Sequence, residues 1–285
     1  MIADTLLIII GIAGLSIASL IDIKTKEIPD WLNYSMIASG LGIRLIYSTT
    51  INDYSFFLYG LLGAAILFVI GSIMYYTKQW GGGDAKLIAA LGAIFATVPN
   101  QRFFLVSLLI NIIIIGAVYG MVFVIALALK NYKKFKLEYI NTAVKNKKQK
   151  KSYMFITISL ILVAILFKSS AIRIIFIVLA VLVLSNFYLL LMIRSVEKIV
   201  LFKYIPTSRL TEGDWIAKNI YINKKLVYNK DSPGVNKKQL PIIKKSKIKE
   251  VLIKDGIPFV PSILIAAVLT LVFGNLLMHI INKLI

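Results

Sequence analysis

The chain has no cysteine and a single histidine, His279. The first absence excludes disulfides, a thiolate nucleophile and cysteine-ligated zinc, and leaves the redox compartment unread. The second excludes a HExxH metal helix, which needs two histidines. It also leaves a serine–histidine pair with only His279 as base. Acids are few, 13 against 33 Lys+Arg. Hydrolytic chemistry here therefore falls to carboxylates, lysines or hydroxyls, and no metal and no cofactor is expected.

Apolar residues are plentiful: 59% of the 285 residues, with a mean hydropathy of +0.83. They sit in long runs such as Leu6–Ile21 and Phe103–Leu129. Runs of about 20 apolar residues match a bilayer core of about 30 Å, and a soluble fold has no way to bury so many on every side. The pattern predicts an all-α polytopic membrane protein with about eight transmembrane helices (six to eight): 2–21, 32–48, 55–76, 85–98, 103–129, 152–167, 171–193 and 257–280. The fourth is short, about 21 Å at 1.5 Å per residue, so it is expected to begin inside a pocket. Met1–Asp4 carries no positive charge and no convincing cleavage site follows Ala18-Ser19, so the first run reads as a retained span. The expected organisation is a membrane core over 1–129, a basic loop over 130–151 and an inserted helix pair over 152–193. A small basic subdomain over 194–256 and a C-terminal span over 257–285 complete it. In that subdomain Leu226–Tyr228 and Val251–Ile253 read as short strands, and Asp231-Ser232-Pro233-Gly234 as a turn.

Charge orients these spans. With the N-terminus outside, the inner segments 22–31, 77–86, 130–151 and 194–256 hold 28 of the 33 bases, as the positive-inside tendency predicts. The exceptions are Arg44, Arg102, Lys168, Arg173 and Lys283, of which Arg44 and Arg173 are expected to snorkel to the outer surface. His279 is expected at an interface. Trp31, Trp80 and Trp215 read as interfacial anchors on the inner side. The implied location is a plasma membrane, with both termini outside. The nine lysines of 130–151 fit anionic lipid headgroups as partners. Without interleaved aromatics they do not fit nucleic acid.

Acids beside a bilayer are functional suspects by default. Asp22 ends the first span without a polar buffer, and Asp84 follows Gly81-Gly82-Gly83 at the start of the fourth. Both fall at the inner boundary, so two carboxyls can meet at one depth. Such a pair shares a proton, and its two affinities are pushed apart. The ionised member takes a proton from water while the neutral one donates to a scissile carbonyl. The three glycines allow positive φ and close approach of another chain, and are expected to form a flexible loop that admits an extended peptide. Asp30 reads as the N-cap of the second span and as the first rival to Asp22. Lys24, Lys26 and Lys86 read as interfacial counter-charges.

Gly81-Gly82-Gly83-Asp84-Ala85-Lys86 resembles the GxGD motif of intramembrane aspartic peptidases. Asp22-Ile23-Lys24-Thr25-Lys26-Glu27-Ile28-Pro29-Asp30 resembles the first aspartate segment of the type IV prepilin peptidase family, in its archaeal preflagellin/prepilin branch. The resemblance covers residues 1–130. Gly256-Ile257-Pro258-Phe259-Val260-Pro261, and more loosely Glu212-Gly213-Asp214, are also similar to archaeal members. The resemblance implies Asp22 and Asp84 as catalytic residues and Gly81, Gly82 and Gly83 as a substrate-access loop, with Lys24, Lys86, Pro29 and Asp30 in support. It implies an endopeptidase that removes the short basic leader of type IV pilin-like or archaellin precursors at the cytoplasmic face. It departs from the family at 152–193, an extra pair. The four-cysteine insert of bifunctional members is missing, so no methyltransferase activity is expected.

Two other readings stand beside this one. A non-enzymatic transporter or channel would use intramembrane carboxylates as an ion relay and favours a broken helix or an internal repeat; the sequence has no evident repeat. A helical scaffold would use neither aspartate.

Overall fold

A computed structural model describes residues 2–99, 101 and 103–284. Met1 and Arg102, both used above, lie outside the described residues. Contacts divide the chain into two units. Unit 1 comprises residues 1–121, 206–251 and 256–285; unit 2 comprises 122–205 and 252–255.

Unit 1 contains α1 (Ile2–Thr25), α2 (Asp30–Ile51), α3 (Ser55–Tyr76), α4 (Gly82–Phe95) and most of α5 (Phe104–Lys130). Unit 2 takes the end of α5, then α6 (Tyr132–Lys145), α7 (Lys147–Leu166), α8 (Ser170–Val196) and most of β1 (Phe202–Pro206). The chain returns to unit 1 with β2 (Trp215–Ile216), β3 (Ile220–Ile222), β4 (Lys225–Tyr228) and α9 (Gln239–Lys244), passes along β5 (Glu250–Lys254), and ends in α10 (Val260–Phe273) and α11 (Leu276–Leu284). Both expected strands are present, as β4 and β5. The β3–β4 hairpin turns on Asn223 and Lys224, which both have positive φ, the backbone of a primed two-residue turn. The segment 130–151, read as a loop, is helical: α6 and the first turns of α7.

Each of the eight expected spans is helical, the last broken into α10 and α11, but not all are long and apolar enough to cross. α1, α3, α5, α7 and α8 are long and apolar enough, and α10 with α11 makes a sixth, bent by 49° at its break. α2 has the length, but Asn33, Ser35, Arg44 and Ser48 make it polar. α4 has 14 residues and is too short for the hydrocarbon core. The chain is an all-α, multi-pass membrane protein, and among the described residues five helices, or six with the bent pair, are long and apolar enough to cross.

α4 is the axis of unit 1. Every side chain from Leu87 to Phe95 is buried, and α1, α2 and α3 all touch it. Its small residues let α3 come close. A Cβ on Gly63 would lie 2.5 Å from the Gly92 carbonyl oxygen, and one on Gly71 would lie 2.8 Å from that of Ala85. Small residues at such crossings replace the hydrophobic drive that lipid removes.

Arg44 overturns an expectation. It does not snorkel outward but is fully buried. Its Nε donates to Ala93 O at 2.8 Å and its Nη2 to Ile94 O at 2.9 Å, while Nη1 reaches Phe56 O and Thr97 Oγ1, both at 3.0 Å. The last carbonyls of any helix lack intrahelical partners. Here, in the buried core, one guanidinium serves the Ala93 and Ile94 carbonyls and lets α4 stop short. Trp80 also departs from its expected role. It is 8% exposed and packs on Phe259, with ring centroids 5.8 Å apart. Trp31 is exposed, and Trp215 donates to Pro233 O at 2.6 Å.

Candidate active site

Asp22 lies in the last turn of α1. Lys26, at φ 59°, donates its N–H to Asp22 O at 2.8 Å and ends the helix. The Asp22 side chain turns inward and is 5% exposed. Its Oδ2 accepts the N–H of Val260, the first residue of α10, at 2.9 Å, and the Phe259 amide is close enough to act on the same carboxylate. Pro258 and Pro261 flank these donors and have no N–H to offer. The segment 256–261 thus presents the positive end of α10 to Asp22.

Asp84 is the third residue of α4 and is half-buried. Its Oδ2 accepts the Gly81 N–H at 2.9 Å, one half of a capping box; Gly81 has no side chain to make the other half. The Asp22 charge acts on Asp84, so the two carboxyls lie at one end of unit 1 within electrostatic reach. Tyr119 of α5 also faces the field of Asp22.

The two signature segments interlock around this pair. Asn33 Nδ2 donates to Gly83 O at 3.3 Å. Lys86 Nζ forms an ion pair with Asp30 Oδ1. A Cβ on Gly83 would lie 3.0 Å from Ile28 Cβ and 3.3 Å from Ile28 N and O, so Gly83 admits the backbone after Asp22. The 206–251 segment docks at the same end, with Thr211 Oγ1 donating to Glu27 Oε1 at 2.9 Å.

Several expectations change in detail. Gly82 and Gly83 are helical rather than a flexible loop, and none of the three glycines has positive φ; what the motif uses is close approach at Gly83. Asp30 is the first residue of α2 rather than its N-cap, which is Pro29. The carboxylate of Asp30 and the ammonium of Lys86 form an ion pair, both partly exposed, so Lys86 is the counter-charge of Asp30. Lys24 is exposed; the lysine that acts on Asp22 is Lys26. The sequence points to the 256–261 segment by resemblance alone, and neither to Asn33 nor to the Phe259 and Val260 amides as donors. Asn33 carries a faint signal, an amide beside the buried Leu32, Met36, Gly40 and Arg44 stripe. Backbone donors carry none. Among the described residues, no three His, Asp or Glu gather as a metal site.

Residues 9–125 match the profile of the type IV leader peptidase family. A preflagellin peptidase of Methanococcus maripaludis is 36% identical over 86 residues, 30% of this chain and 37% of that protein. One from Methanocaldococcus jannaschii is 37% identical over 86 residues, 30% and 36% of the two chains. The prepilin peptidase EppA of Methanothermobacter thermautotrophicus is 29% identical over 100 residues, 35% and 26%. The chain thus spans little more than a third of the length of the preflagellin peptidases it matches. Asp22 and Asp84, with their interlocked segments, both fall inside the matched residues, so the similarity to the type IV leader peptidase family covers the candidate site.

Proposed function

We propose that the chain is a membrane aspartic endopeptidase with Asp22 and Asp84 as its catalytic pair. It removes the short basic leader from a type IV pilin-like or archaellin precursor at the cytoplasmic face. The observation that carries this is the pairing itself. Two carboxyls 62 positions apart lie on segments joined by the Asn33–Gly83 hydrogen bond and the Lys86–Asp30 ion pair, each with its Oδ2 held by a main-chain N–H.

In the reaction, the ionised member of the pair takes a proton from water as the water oxygen attacks the scissile carbonyl carbon. The protonated member donates to the carbonyl oxygen. The resulting gem-diol collapses as one of its hydroxyls returns a proton to the second carboxyl, its C–N bond breaks, and the proton held by the first carboxyl passes to the leaving amine. Water is the only co-reactant, and no methyl transfer is part of this activity. A single proton serves the pair, so its titration belongs to both residues. Fixing Oδ2 on each side leaves Oδ1 as the atom for water or substrate, and pre-set geometry of this kind supplies much of a barrier reduction. The positive-inside tendency of the lysine-rich segments in the sequence supports the cytoplasmic assignment.

The transporter reading has one observation in its favour, the break between α10 and α11. At that break Asn111 Nδ2 donates to Thr270 Oγ1 and to Gly274 O, both at 2.8 Å, and its Oδ1 accepts the Leu276 N–H at 3.0 Å. The carbonyl a relay would use is thus taken, and neither aspartate is there.

The deciding assay incubates purified protein with a prepilin-like precursor and compares wild type with Asp22→Asn and Asp84→Asn. Cleavage by wild type and loss in both variants is expected. Wild-type rates in both would end the proposal.

A further inference from the structure

We propose that α7 and α8 bind the phosphate group of an anionic membrane lipid, with Arg194 as its main ligand. Unit 2 carries fifteen bases and three acids. Each acid has a lysine partner: Glu138 with Lys198, Glu197 with Lys254 and Asp255 with Lys203. Arg194, in the last turn of α8, is held differently. Its Nη1 donates to Asn146 Oδ1 at 3.2 Å and to Gln149 Oε1 at 3.0 Å. Both acceptors are neutral amides, so the guanidinium is oriented without being neutralised. Asn146 is itself fixed, its Nδ2 donating to Thr142 O at 2.7 Å.

Beside this guanidinium lies a cavity of about 140 Å³. Gln149, Ser152, Tyr153 and Arg194 give it polar groups, and Phe187, Leu190 and Leu191 give it an apolar wall. A polar mouth over an apolar wall suits a headgroup with the start of an acyl chain. Lys147, Lys148, Lys150 and Lys151 crowd the first turns of α7, where the helix dipole disfavours cations. An anion docked there relieves both kinds of excess charge. A planar guanidinium offers paired donors to phosphate oxygens.

The surroundings select the source of that anion. α7 and α8 are candidate crossings, and their outward side chains are apolar and bare, Phe155 at 73% and Leu166 at 80% exposure. A phospholipid brings phosphate to this depth together with a chain for Phe187 and Leu190. Free phosphate offers the charge alone. The site is independent of the proposed cleavage and assigns a role to the α7–α8 helix pair.

The test uses the full chain in detergent, stripped of lipid and then titrated with phosphatidylglycerol, phosphatidylcholine or inorganic phosphate. Bound lipid is counted by native mass spectrometry. Phosphatidylglycerol should bind at least about tenfold more tightly than phosphatidylcholine, and inorganic phosphate at equal concentration should not displace it. Arg194→Gln should weaken phosphatidylglycerol about fivefold, the scale of one basic contact at a membrane surface. Arg194→Lys should recover most of that loss. Leu190→Trp, which fills the cavity and keeps the charge, should weaken binding to a similar extent. Arg173→Gln, at the opposite end of α8, should change nothing. Equal binding of the two lipids, or wild-type affinity in both Arg194→Gln and Leu190→Trp, overturns the proposal. Displacement by inorganic phosphate overturns the lipid as source.

Discussion

Asp22 Oδ2 and Val260 N stand 2.9 Å apart across 238 positions of sequence. One end of the chain thereby holds the acid of the other, and the contact makes Asp22 both a proposed catalytic group and a helix cap. The two roles separate by substitution. Asp22→Asn keeps an oxygen that accepts the Val260 N–H, so the thermal midpoint should stay near wild type while peptide cleavage falls by at least about 10²–10⁴-fold. Asp22→Ala removes the acceptor as well. It leaves a buried N–H unpaired and should cost a further ~1–2 kcal/mol of stability. Cleavage assays beside thermal unfolding in detergent read the difference. Equal destabilisation by both variants would deny the cap.

A shared proton predicts the shape of the pH profile. At low pH both carboxyls are protonated and no base remains. At high pH both are ionised and no donor remains. The rate should rise and fall with a slope of one on each limb, with apparent constants that belong to the pair. Steady-state cleavage of a precursor peptide across pH measures it. A rate that stays flat on the alkaline side would exclude the protonated partner.

Gly83 and Gly82 make a matched pair of probes. Alanine raises helix propensity at either position, by roughly 0.5–1 kcal/mol in a helix interior and less in the first turn. At Gly82 the nearest atom to a new Cβ is Tyr75 Cε2 at 3.6 Å, an ordinary contact. At Gly83 the new Cβ meets Ile28 at 3.0 Å and its backbone at 3.3 Å, and Ile28 must give way, taking with it the segment behind Asp22. Gly83→Ala should therefore lower kcat about tenfold or more, while Gly82→Ala stays within about twofold. Both should remain folded by circular dichroism and gel filtration.

The apolar runs and two of the strands were readable because each is a local pattern, and the same kind of pattern singles out Asp22 and Asp84 as candidates. A run of 20 apolar residues or a GGGD stretch carries its meaning without neighbours. The failures share the opposite property. A lone arginine near a span end reads the same whether it snorkels or caps a buried helix, and only the position of Ala93 and Ile94 decides. Trp80 reads as an interfacial anchor until Phe259, 179 positions away, covers it. The basic stretch 132–145 lacks an apolar stripe long enough to announce α6. The fit of Gly83 to Ile28 is a backbone contact, and sequence can signal it only as the absence of a side chain.

Arg44 gives the last prediction, because it tests whether the end of α4 remote from Asp84 governs the end that carries it. Arg44→Met keeps much of the side-chain volume but leaves the carbonyls of Ala93, Ile94 and Phe56 without their donor in a water-poor interior. Hydrogen bonds to a charged group contribute about 1.5–3 kcal/mol each, so a loss of roughly 3 kcal/mol or more is expected. Arg44→Lys keeps a charge but not the fork that reaches two helices at once, and should lie between. If α4 is held in register by this cap, the surviving folded fraction of Arg44→Lys should show a lower kcat with an unchanged KM, since Asp84 shifts while the substrate surface does not. Thermal unfolding and cleavage kinetics on the same preparation separate the two effects. A lower midpoint with wild-type kcat would confine Arg44 to stability and leave the placement of Asp84 to Gly81, Gly83 and Asn33.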